Sequence, residues 1–219
     1  MLVAITGANR GIGLELTKKY VEKGDKVFAM CRRVSDELKS LDNVQIVEGI
    51  DTTDFNLKQK LESTFGNEKI DLFINNAGVL TSESLNSLNF DDIRKQFEVN
   101  SIGPLNMVHQ ILPHLSSGAK IGVLTSRMGS IGDNTSGGMY GYRMSKAAAN
   151  AACKSLAMDL KGKHPVAILH PGYVKTDMTG NNGDIVPEEA ARGLVKVMEE
   201  LNDGNTGTFW HQNGQELPW

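Results

Sequence analysis

Short runs of apolar residues alternate along the chain with longer stretches in which apolar residues recur every three or four positions. The short runs are typical of strands buried on both faces of a sheet, and the longer stretches are typical of amphipathic helices. The pattern predicts strands at Leu2–Thr6, Lys26–Cys31, Val44–Glu48, Leu72–Asn75, Lys120–Thr125, Val166–His170 and Thr208–His211. It predicts helices at Gly13–Lys23, Ser35–Ser40, Phe55–Phe65, Phe90–His114, Tyr142–Gly162 and Pro187–Leu201.

This alternation predicts an α/β fold, a doubly wound parallel sheet of about seven strands with helices on both faces. Neither a repeat nor a linker interrupts it, so residues 1–219 are expected to form a single domain. Asp54 is placed to cap the helix at Phe55–Phe65, and Gly24 lies where the first helix should stop. Pro104 falls inside the longest predicted helix, which should therefore start or kink there.

Composition and charge narrow the classes of partner. The formal net charge of −3 provides no broad basic surface for nucleic acid or an anionic membrane, so a small molecule is the expected partner. No apolar run approaches the roughly 18 residues of a membrane-spanning helix, and no signal peptide is evident, so a cytoplasmic location is expected. Cys31 and Cys153 form no CxxC pair and the five histidines show no metal-ligand spacing, so no metal is expected.

A glycine-rich turn between the first strand and the first helix carries Gly7, Gly11 and Gly13. Glycines there let the backbone approach a pyrophosphate, and the helix N-terminus that follows offers free N–H groups. The spacing is GxxxGxG and not the GxGxxG of the general dinucleotide fingerprint. The prediction of a pyrophosphate site therefore depends on the position of the turn between a strand and a helix. Three further residues of this turn are expected at the cofactor: Asn9, Arg10 and Ile12.

The residues at the end of the second strand indicate which dinucleotide cofactor binds. An acidic residue there would accept hydrogen bonds from the ribose 2′-hydroxyl of NAD, but this chain has Arg32 and Arg33 instead. Arg32 is placed to bind a 2′-phosphate, and Arg10 could reach the same group. The alternative is that both arginines belong to a solvated loop. We expect NADP(H) rather than NAD(H).

Tyr142 and Lys146 are four residues apart, so they share one face of the predicted helix. An ordinary tyrosine has a pKa near 10, and a nearby ammonium group is expected to lower it. A YxxxK pair occurs often by chance, but here other polar residues follow successive strands, where a parallel sheet binds its ligands. These residues are Asn75–Gly78, Thr125–Ser126 and Pro171–Thr176, joined by Asn100 from the longest helix.

The ordered set resembles the classical short-chain dehydrogenase/reductase family, in its C-factor/sniffer-like carbonyl reductase branch. The resemblance spans essentially the whole chain, through TGANRGIG, NNAG, YRMSK and PGYVKT, and the short length and C-terminal residues resemble that branch. It implies an NADPH-dependent oxidoreductase that transfers a hydride between nicotinamide and a carbonyl or alcohol. It also implies a homodimer or tetramer. The alternative, an NADP(H)-binding regulatory protein of the C-factor type, would not need a complete set of catalytic residues.

The resemblance implies a catalytic tetrad of Asn100, Ser126, Tyr142 and Lys146. Tyr142 would exchange a proton with the carbonyl oxygen, and Ser126 would hydrogen-bond the same oxygen. Lys146 would lower the pKa of Tyr142 and bind the nicotinamide ribose, and Asn100 would hold a water that links Lys146 to solvent. Ser126 precedes Tyr142 by 16 positions, slightly more than is usual in the family, so Ser130 is the alternative serine.

The resemblance also implies further contacts with the cofactor. Asp51 would meet the adenine, although an exposed residue is the alternative, and Thr176 would bind the nicotinamide carboxamide, with a helix cap as its alternative. The remaining expected cofactor residues are Asn76, Ala77 and Gly78 beside the adenosine ribose, and Pro171, Gly172 and Val174 near the nicotinamide ring. The substrate pocket is expected to contain Ser126, Arg127, Met128, Met139 and Tyr173. Arg127 is either a contact for an anionic substrate group or an exposed arginine.

Overall fold

Seven parallel strands form one sheet in the computed structural model, which describes all residues from Met1 to Trp219. The strands are β1 Leu2–Thr6, β2 Lys26–Cys31, β3 Val44–Glu48, β4 Ile70–Asn75, β5 Leu115–Leu124, β6 Val166–His170 and β7 Phe209–His211. Their order is β3-β2-β1-β4-β5-β6-β7, so the order reverses between β1 and β4. This is the strand order of dinucleotide-binding folds, extended by one strand.

Helices fill the connections between the strands. They are α1 Gly11–Glu22, α2 Asp36–Lys39, α3 Lys58–Phe65, α4 Phe90–Phe97, α5 Gly103–Ile111, α6 Tyr140–Asp159 and α7 Pro187–Glu200. Short 3₁₀ turns lie at Leu112–His114, Arg127–Gly129 and Asp177–Thr179. The α/β fold predicted from the alternating pattern is confirmed. None of the helices combines the length and the apolar character that crossing a bilayer requires.

The sheet separates two apolar cores because successive side chains of a strand point to opposite faces. On β1, Leu2 and Ala4 face one core, whereas Val3 and Ile5 face the other. Helices α3, α5 and α6 cover the first core, and α1, α2 and α7 cover the second. Both faces are buried, which explains why β1 and β2 are apolar almost throughout.

The long helix predicted at Phe90–His114 is wrong as a single helix. A π-helical turn at Glu98–Ile102 joins α4 to α5, and the N–H of Gly103 donates to the carbonyl of Glu98, five residues earlier. Pro104 follows directly, and it has no N–H to offer to the carbonyl of Asn100 four residues before it. The interruption therefore falls at a predicted catalytic residue, and π-turns inside α-helices are frequent at functional sites.

Several other boundaries differ from the sequence-based expectation, and the starts of α3 and β5 differ for identifiable reasons. Asp54 does not cap α3, because its carboxylate accepts from the N–H of Asn56 at 2.8 Å and closes a turn before the helix begins at Lys58. Strand β5 begins at Leu115 rather than at Lys120, and its pairing with β4 shifts register between Ile70 and Leu72. Neither difference moves the carboxyl ends of the strands, where the candidate site lies.

Candidate active site

The carboxyl ends of β1 and β4 open a cleft at the point where the strand order reverses. The cleft has a volume of about 940 Å³. Most of the predicted cofactor residues line it: Gly7, Asn9, Arg10, Gly11, Ile12, Arg32, Asp51, Asn76, Ala77, Gly78, Tyr142, Lys146, Pro171 and Thr176. Three predicted cofactor residues do not line it: Gly13, Gly172 and Val174. The structure thus brings both ends of the predicted site to one cleft.

The glycine turn at the base of the cleft requires its small residues for two different reasons. Gly7 has a φ of +64°, and a Cβ there would lie only 3.0 Å from Nδ2 of Asn76. Gly11 has a φ of +53° and faces Thr176 across the cleft. A Cβ on Gly13 would collide with the carbonyl oxygen of Gly7. Gly13 therefore serves to pack α1 against the turn rather than to contact the cofactor.

Thr6 at the end of β1 ties the glycine turn to the segment after β4, although sequence reasoning did not assign it. Its Oγ1 donates to Oδ1 of Asn75 at 2.7 Å and accepts from the N–H groups of Asn76 and Ala77 at 3.0 and 3.2 Å. The Nδ2 of Asn76 donates to the carbonyl of Gly7 at 3.1 Å. The two walls of the cleft are thereby held together, and a hydroxyl at the last position of β1 was the available signal.

The expected adenosine end of the cleft contains a fixed carboxylate. Asp51 accepts from the N–H of Thr53 at 3.0 Å and from its Oγ1 at 2.8 Å. These hydrogen bonds, led by the one from the N–H group, lower the pKa of Asp51, and the nearby charge of Arg32 adds to the effect. Arg32 itself is exposed at the end of β2 and lines the cleft. Arg33, which was not assigned to the site, lines the cleft as well.

Arg10 has a partner that the sequence did not reveal. Its guanidinium lies 3.3 Å from the carboxylate of Asp177, and both side chains are exposed. A 2′-phosphate would therefore compete with this carboxylate for Arg10. Of the two arginines predicted at that phosphate, Arg32 is the one without a carboxylate at salt-bridge distance.

Tyr142 and Lys146 occupy the first two turns of α6. The Nζ of Lys146 lies 5.7 Å from the centre of the Tyr142 ring and donates to the carbonyl of Leu124 at 3.2 Å. Lys146 is only 4% exposed, and this burial lowers the pKa of its ammonium group to about 8. The spacing predicted from the sequence thus brings a buried cation beside the phenol.

The pKa of Tyr142 is raised, whereas the sequence predicted that it would be lowered. Burial raises the pKa of the phenol, and a hydrogen bond with the Ser126 side chain opposes this increase only in part. The lowering expected from Lys146 is therefore not found in this structure. Desolvation of the phenolate is the larger effect, and Lys146 does not contribute a compensating decrease. A phenol with a raised pKa retains its proton at neutral pH.

Of the two candidate serines, only Ser126 is placed beside Tyr142. Ser126 lies just after β5, is 7% exposed and also accepts from the N–H of Met128 at 3.1 Å. Ser130 is more deeply buried, and its Oγ accepts from the N–H of Asp133 at 3.1 Å. Ser130 thus stabilises the loop that follows. The geometry favours Ser126 as the serine of the tetrad.

Asn100 connects the π-turn to the helix that carries Tyr142. Its side chain is fully buried, and its Nδ2 donates to Oγ of Ser145 at 3.1 Å. The Oγ of Ser145 donates in turn to the carbonyl of Tyr142 at 2.9 Å. A Cβ on Gly78 would lie 3.2 Å from Oδ1 of Asn100 and 3.7 Å from Nζ of Lys146. The backbone at Gly78 thus passes close to both side chains.

The expected substrate residues lie beyond this tetrad. Arg127 is bound by Asp133, with Nη2 and Oδ1 separated by 3.0 Å, so its guanidinium is already paired. Met128 and Met139 are half-buried, and Tyr173 is 51% exposed. The pairing of Arg127 weakens the idea that it binds an anionic group of the substrate. None of Arg127, Met128, Met139 or Tyr173 lines the cofactor cleft.

The segment after β6 folds back on itself at the expected nicotinamide end. Val174 and Ile185 form a parallel bridge, and the N–H of Lys175 donates to the carbonyl of Ile185 at 2.9 Å. Val174 is buried, and Gly172 adopts a φ of +91° with Ile185 close to it. Gly172 and Val174 therefore shape this fold-back rather than the cleft. The N–H of Thr176 donates to Oγ1 of Thr179 at 3.1 Å, so Thr176 both begins the short turn and lines the cleft.

The family model described as short chain dehydrogenase matches residues 1–185. The chain belongs to this family. The 1-hydroxy-2-glutathionyl-2-methyl-3-butene dehydrogenase of Rhodococcus sp. (strain AD45) is 38% identical over 224 residues, which cover 99% of each chain.

Two solved structures extend the comparison with short-chain dehydrogenases. The carbonyl reductase Sniffer of D. melanogaster has a TM-score of 0.91 and 31% identity, covering 99% of this chain and 98% of that chain. The NADPH-bound carbonyl reductase from chicken fatty liver has a TM-score of 0.90 and 29% identity, with the same coverage. The resemblance to the carbonyl reductase branch is confirmed. No group of three or more histidine, cysteine or acidic side chains gathers in a way that could hold a metal ion.

Proposed function

We propose that this short-chain dehydrogenase is an NADPH-dependent carbonyl reductase, which also catalyses the reverse oxidation of an alcohol. The observation that carries the proposal is that Tyr142 and Lys146 line one end of a cleft whose other end is lined by Arg32, with the side chain of Ser126 beside Tyr142. A nucleotide-binding protein without catalysis would need the cleft but not the three polar side chains.

The residues of the cleft fit NADP(H). The turn at Gly7 and Gly11 leaves room for a pyrophosphate, and the N-terminus of α1 directs free N–H groups towards it. Arg32 supplies a guanidinium for the 2′-phosphate, with its forked donors matched to phosphate oxygens. The similarity to an NADPH-bound carbonyl reductase supports the same assignment. When bound, NADPH supplies the hydride of the reaction.

Tyr142 acts as the general acid in carbonyl reduction. Its raised pKa keeps the phenol protonated, and the carbonyl oxygen takes this proton as negative charge develops on it. Ser126 holds the same oxygen by a hydrogen bond from its hydroxyl. In alcohol oxidation the same phenol must first lose its proton before it can accept one from the alcohol.

Lys146 stabilises the phenolate that remains on Tyr142 after proton transfer. With a pKa of about 8 the ammonium is mostly charged at neutral pH, and it lies close to the ring. Its other donors would bind the ribose hydroxyls at the nicotinamide end. Asn100, which lies near Lys146 on the far side of Gly78, would hold a water that links Lys146 to solvent and replenishes the proton.

The substrate class is a carbonyl compound or the corresponding alcohol. The Rhodococcus relative is named as the dehydrogenase of a hydroxy compound, and Sniffer is named as a carbonyl reductase. Exposed and half-buried side chains of Met128, Met139 and Tyr173 provide an apolar surface beyond the tetrad. A homodimer or tetramer and a cytoplasmic location stay predictions from the sequence.

The decisive experiment follows the loss of NADPH or NADH absorbance when the purified protein meets aldehydes, ketones and quinones. Turnover with NADPH that disappears in Tyr142→Phe, while the variant still binds NADPH, would support the reductase and the role of Tyr142. Turnover that persists in the variant would overturn that role. Tight NADPH binding without turnover on any substrate would favour the regulatory function instead.

A further inference from the structure

Helix α6 begins without a side-chain cap of its own. The residue at the cap position is Met139, which has a left-handed φ of +53° and a side chain that makes no capping hydrogen bond. The first N–H groups of a helix have no partner within the helix and need an acceptor from elsewhere. Tyr142 lies in this first turn, so whatever holds the start of α6 also sets the position of its phenol.

Glu83, in the loop after β4, supplies the missing acceptor. Its Oε2 accepts from the N–H of Gly141 at 3.1 Å, and its backbone carbonyl accepts from the N–H of Met139 at 2.9 Å. A carboxylate at this place is also favoured by the positive end of the helix dipole. Glu83 is only 4% exposed, although it is an acidic residue in a loop. Its burial indicates a defined structural task.

The carboxylate of Glu83 is itself fixed by two donors. Its Oε1 accepts from Oγ1 of Thr81 at 2.7 Å and from Nε2 of Gln96 at 2.6 Å. Gln96 is fully buried on α4, and its Oε1 accepts from the N–H of Thr81 at 3.1 Å. Every oxygen of this Glu83–Gln96 pair therefore has a donor, and the pair links α4 to the start of α6.

The contact between the two helices leaves no space for rearrangement. A Cβ on Gly141 would collide with Nε2 of Gln96 and would lie 3.0 Å from Cα of Ile93. The start of α6 is thus pressed against α4 by packing and held there by Glu83. A shift of this turn would be carried directly to the neighbouring residue, Tyr142.

We propose that Glu83 is a positioning residue for the proton donor. It fixes the first turn of α6 so that the phenol of Tyr142 stays beside Ser126. The inference rests on the proposed role of Tyr142 in carbonyl reduction. Glu83 does not line the cofactor cleft, so its loss should reduce kcat and leave the binding of NADPH unchanged.

The hydrogen-bond donors around Glu83 allow a specific test of this role. In Glu83→Gln, one amide NH₂ must face either the N–H of Gly141 or a donor of Gln96, so one hydrogen bond is lost in any orientation. The double variant Glu83→Gln/Gln96→Glu restores the number of hydrogen bonds. Its amide at position 83 would accept from Gly141 and donate to the carboxylate at position 96, and that carboxylate would still accept from Thr81. We expect kcat to fall at least tenfold in the single variant and to recover to within threefold of wild type in the double variant.

Asn89→Ala is the matched control. Asn89 caps α4 by accepting from the N–H groups of Asp91 and Asp92, and it makes no hydrogen bond to α6. We expect this variant to lose a helix cap while its kcat stays within twofold of wild type. Hydrogen–deuterium exchange of the peptide that contains Gly141 should accelerate in Glu83→Gln, remain slow in Asn89→Ala, and slow again in the double variant.

Three results would overturn the proposal: a Glu83→Gln variant with kcat within twofold of wild type, a fall in kcat that the double variant does not reverse, or unchanged exchange at the start of α6. Failure of the proposed function is a different result. Wild-type protein that binds NADPH but turns over no aldehyde, ketone or quinone counts against the reductase, and the exchange measurement then decides whether Glu83 holds α6.

Discussion

The side chain of Asn100 pairs with both backbone groups of Val79, accepting from its N–H at 2.9 Å and donating to its carbonyl at 2.9 Å. Asn100 lies in the π-turn between α4 and α5. Val79 lies in the loop after β4, four residues beyond the end of that strand. The same amide nitrogen also reaches Ser145 on α6. One buried side chain thus fixes the relative positions of a wall of the cleft, the π-turn and the helix with Tyr142.

Replacing Asn100 should affect both stability and catalysis. In Asn100→Ala the backbone groups of Val79 lose their partners, which we expect to lower the free energy of unfolding by about 1–3 kcal/mol. The loop before Glu83 and the start of α6 would also lose alignment, so kcat should fall at least tenfold. Urea unfolding and turnover at saturating NADPH measure the two effects.

Asn106→Ala provides the comparison for Asn100. Asn106 is also a buried asparagine whose Nδ2 donates to two backbone carbonyls, those of Thr52 and Asp54. Asn106→Ala should lower the free energy of unfolding about as much as Asn100→Ala does. It should change kcat less than threefold, because Asn106 makes no hydrogen bond to α6. Equal losses of kcat in the two variants would show that Asn100 has only a general structural role.

Local patterns were sufficient to predict the strands, the glycine turn and the Tyr142–Lys146 pair. A strand buried on both faces and a pair at i and i+4 are properties of neighbouring residues, which the sequence displays directly. The π-turn, the pairing of Arg10 with Asp177 and the cap from Glu83 depend on residues distant in sequence. The raised pKa of Tyr142 likewise depends on burial, which no spacing of residues reveals.

Ser126 and Ser130 can be separated by matched variants. Ser126→Ala removes the hydroxyl beside Tyr142, and we expect kcat to fall about 100- to 1,000-fold, the effect of losing one donor to a developing oxyanion. Ser130→Ala removes a hydroxyl that accepts from Asp133, so kcat should stay within about threefold. Steady-state turnover with NADPH decides between them. Near-normal turnover of Ser126→Ala would move the catalytic role to Ser130.

Arg32 should account for most of the preference for NADPH over NADH. Arg32→Ala is expected to raise the Kd for NADPH about 10- to 100-fold, since a hydrogen bond to a charged group contributes about 1.5–3 kcal/mol, and to leave the Kd for NADH almost unchanged. Arg10→Ala should have a smaller effect because Asp177 already engages that guanidinium. Fluorescence titration with both cofactors measures this. If wild-type protein binds the two equally, the assignment of the 2′-phosphate site is wrong.

The buried ammonium of Lys146 predicts a pH dependence for the reduction. Burial lowers the pKa of this group to about 8, so it is charged at pH 7 and loses its proton as the pH rises through that value. The phenolate left on Tyr142 would then lose its neighbouring cation, and kcat/KM for the carbonyl substrate should fall above about pH 8. Lys146→Arg, which stays protonated above pH 12, should move this decline to higher pH.

The lowered pKa of Lys146 also predicts how the free energy of unfolding changes with pH. The ordinary lysine pKa is near 10.5, so between pH 8 and 10.5 the unfolded chain holds a proton that the folded chain has released. Relative to Lys146→Met, the wild-type protein should therefore gain about 3 kcal/mol of unfolding free energy as the pH rises across this interval. Urea unfolding of both proteins at pH 7.5 and 10 measures the difference. A difference that stays constant would show that Lys146 titrates as an ordinary lysine, and the decline in kcat/KM would then belong to another group.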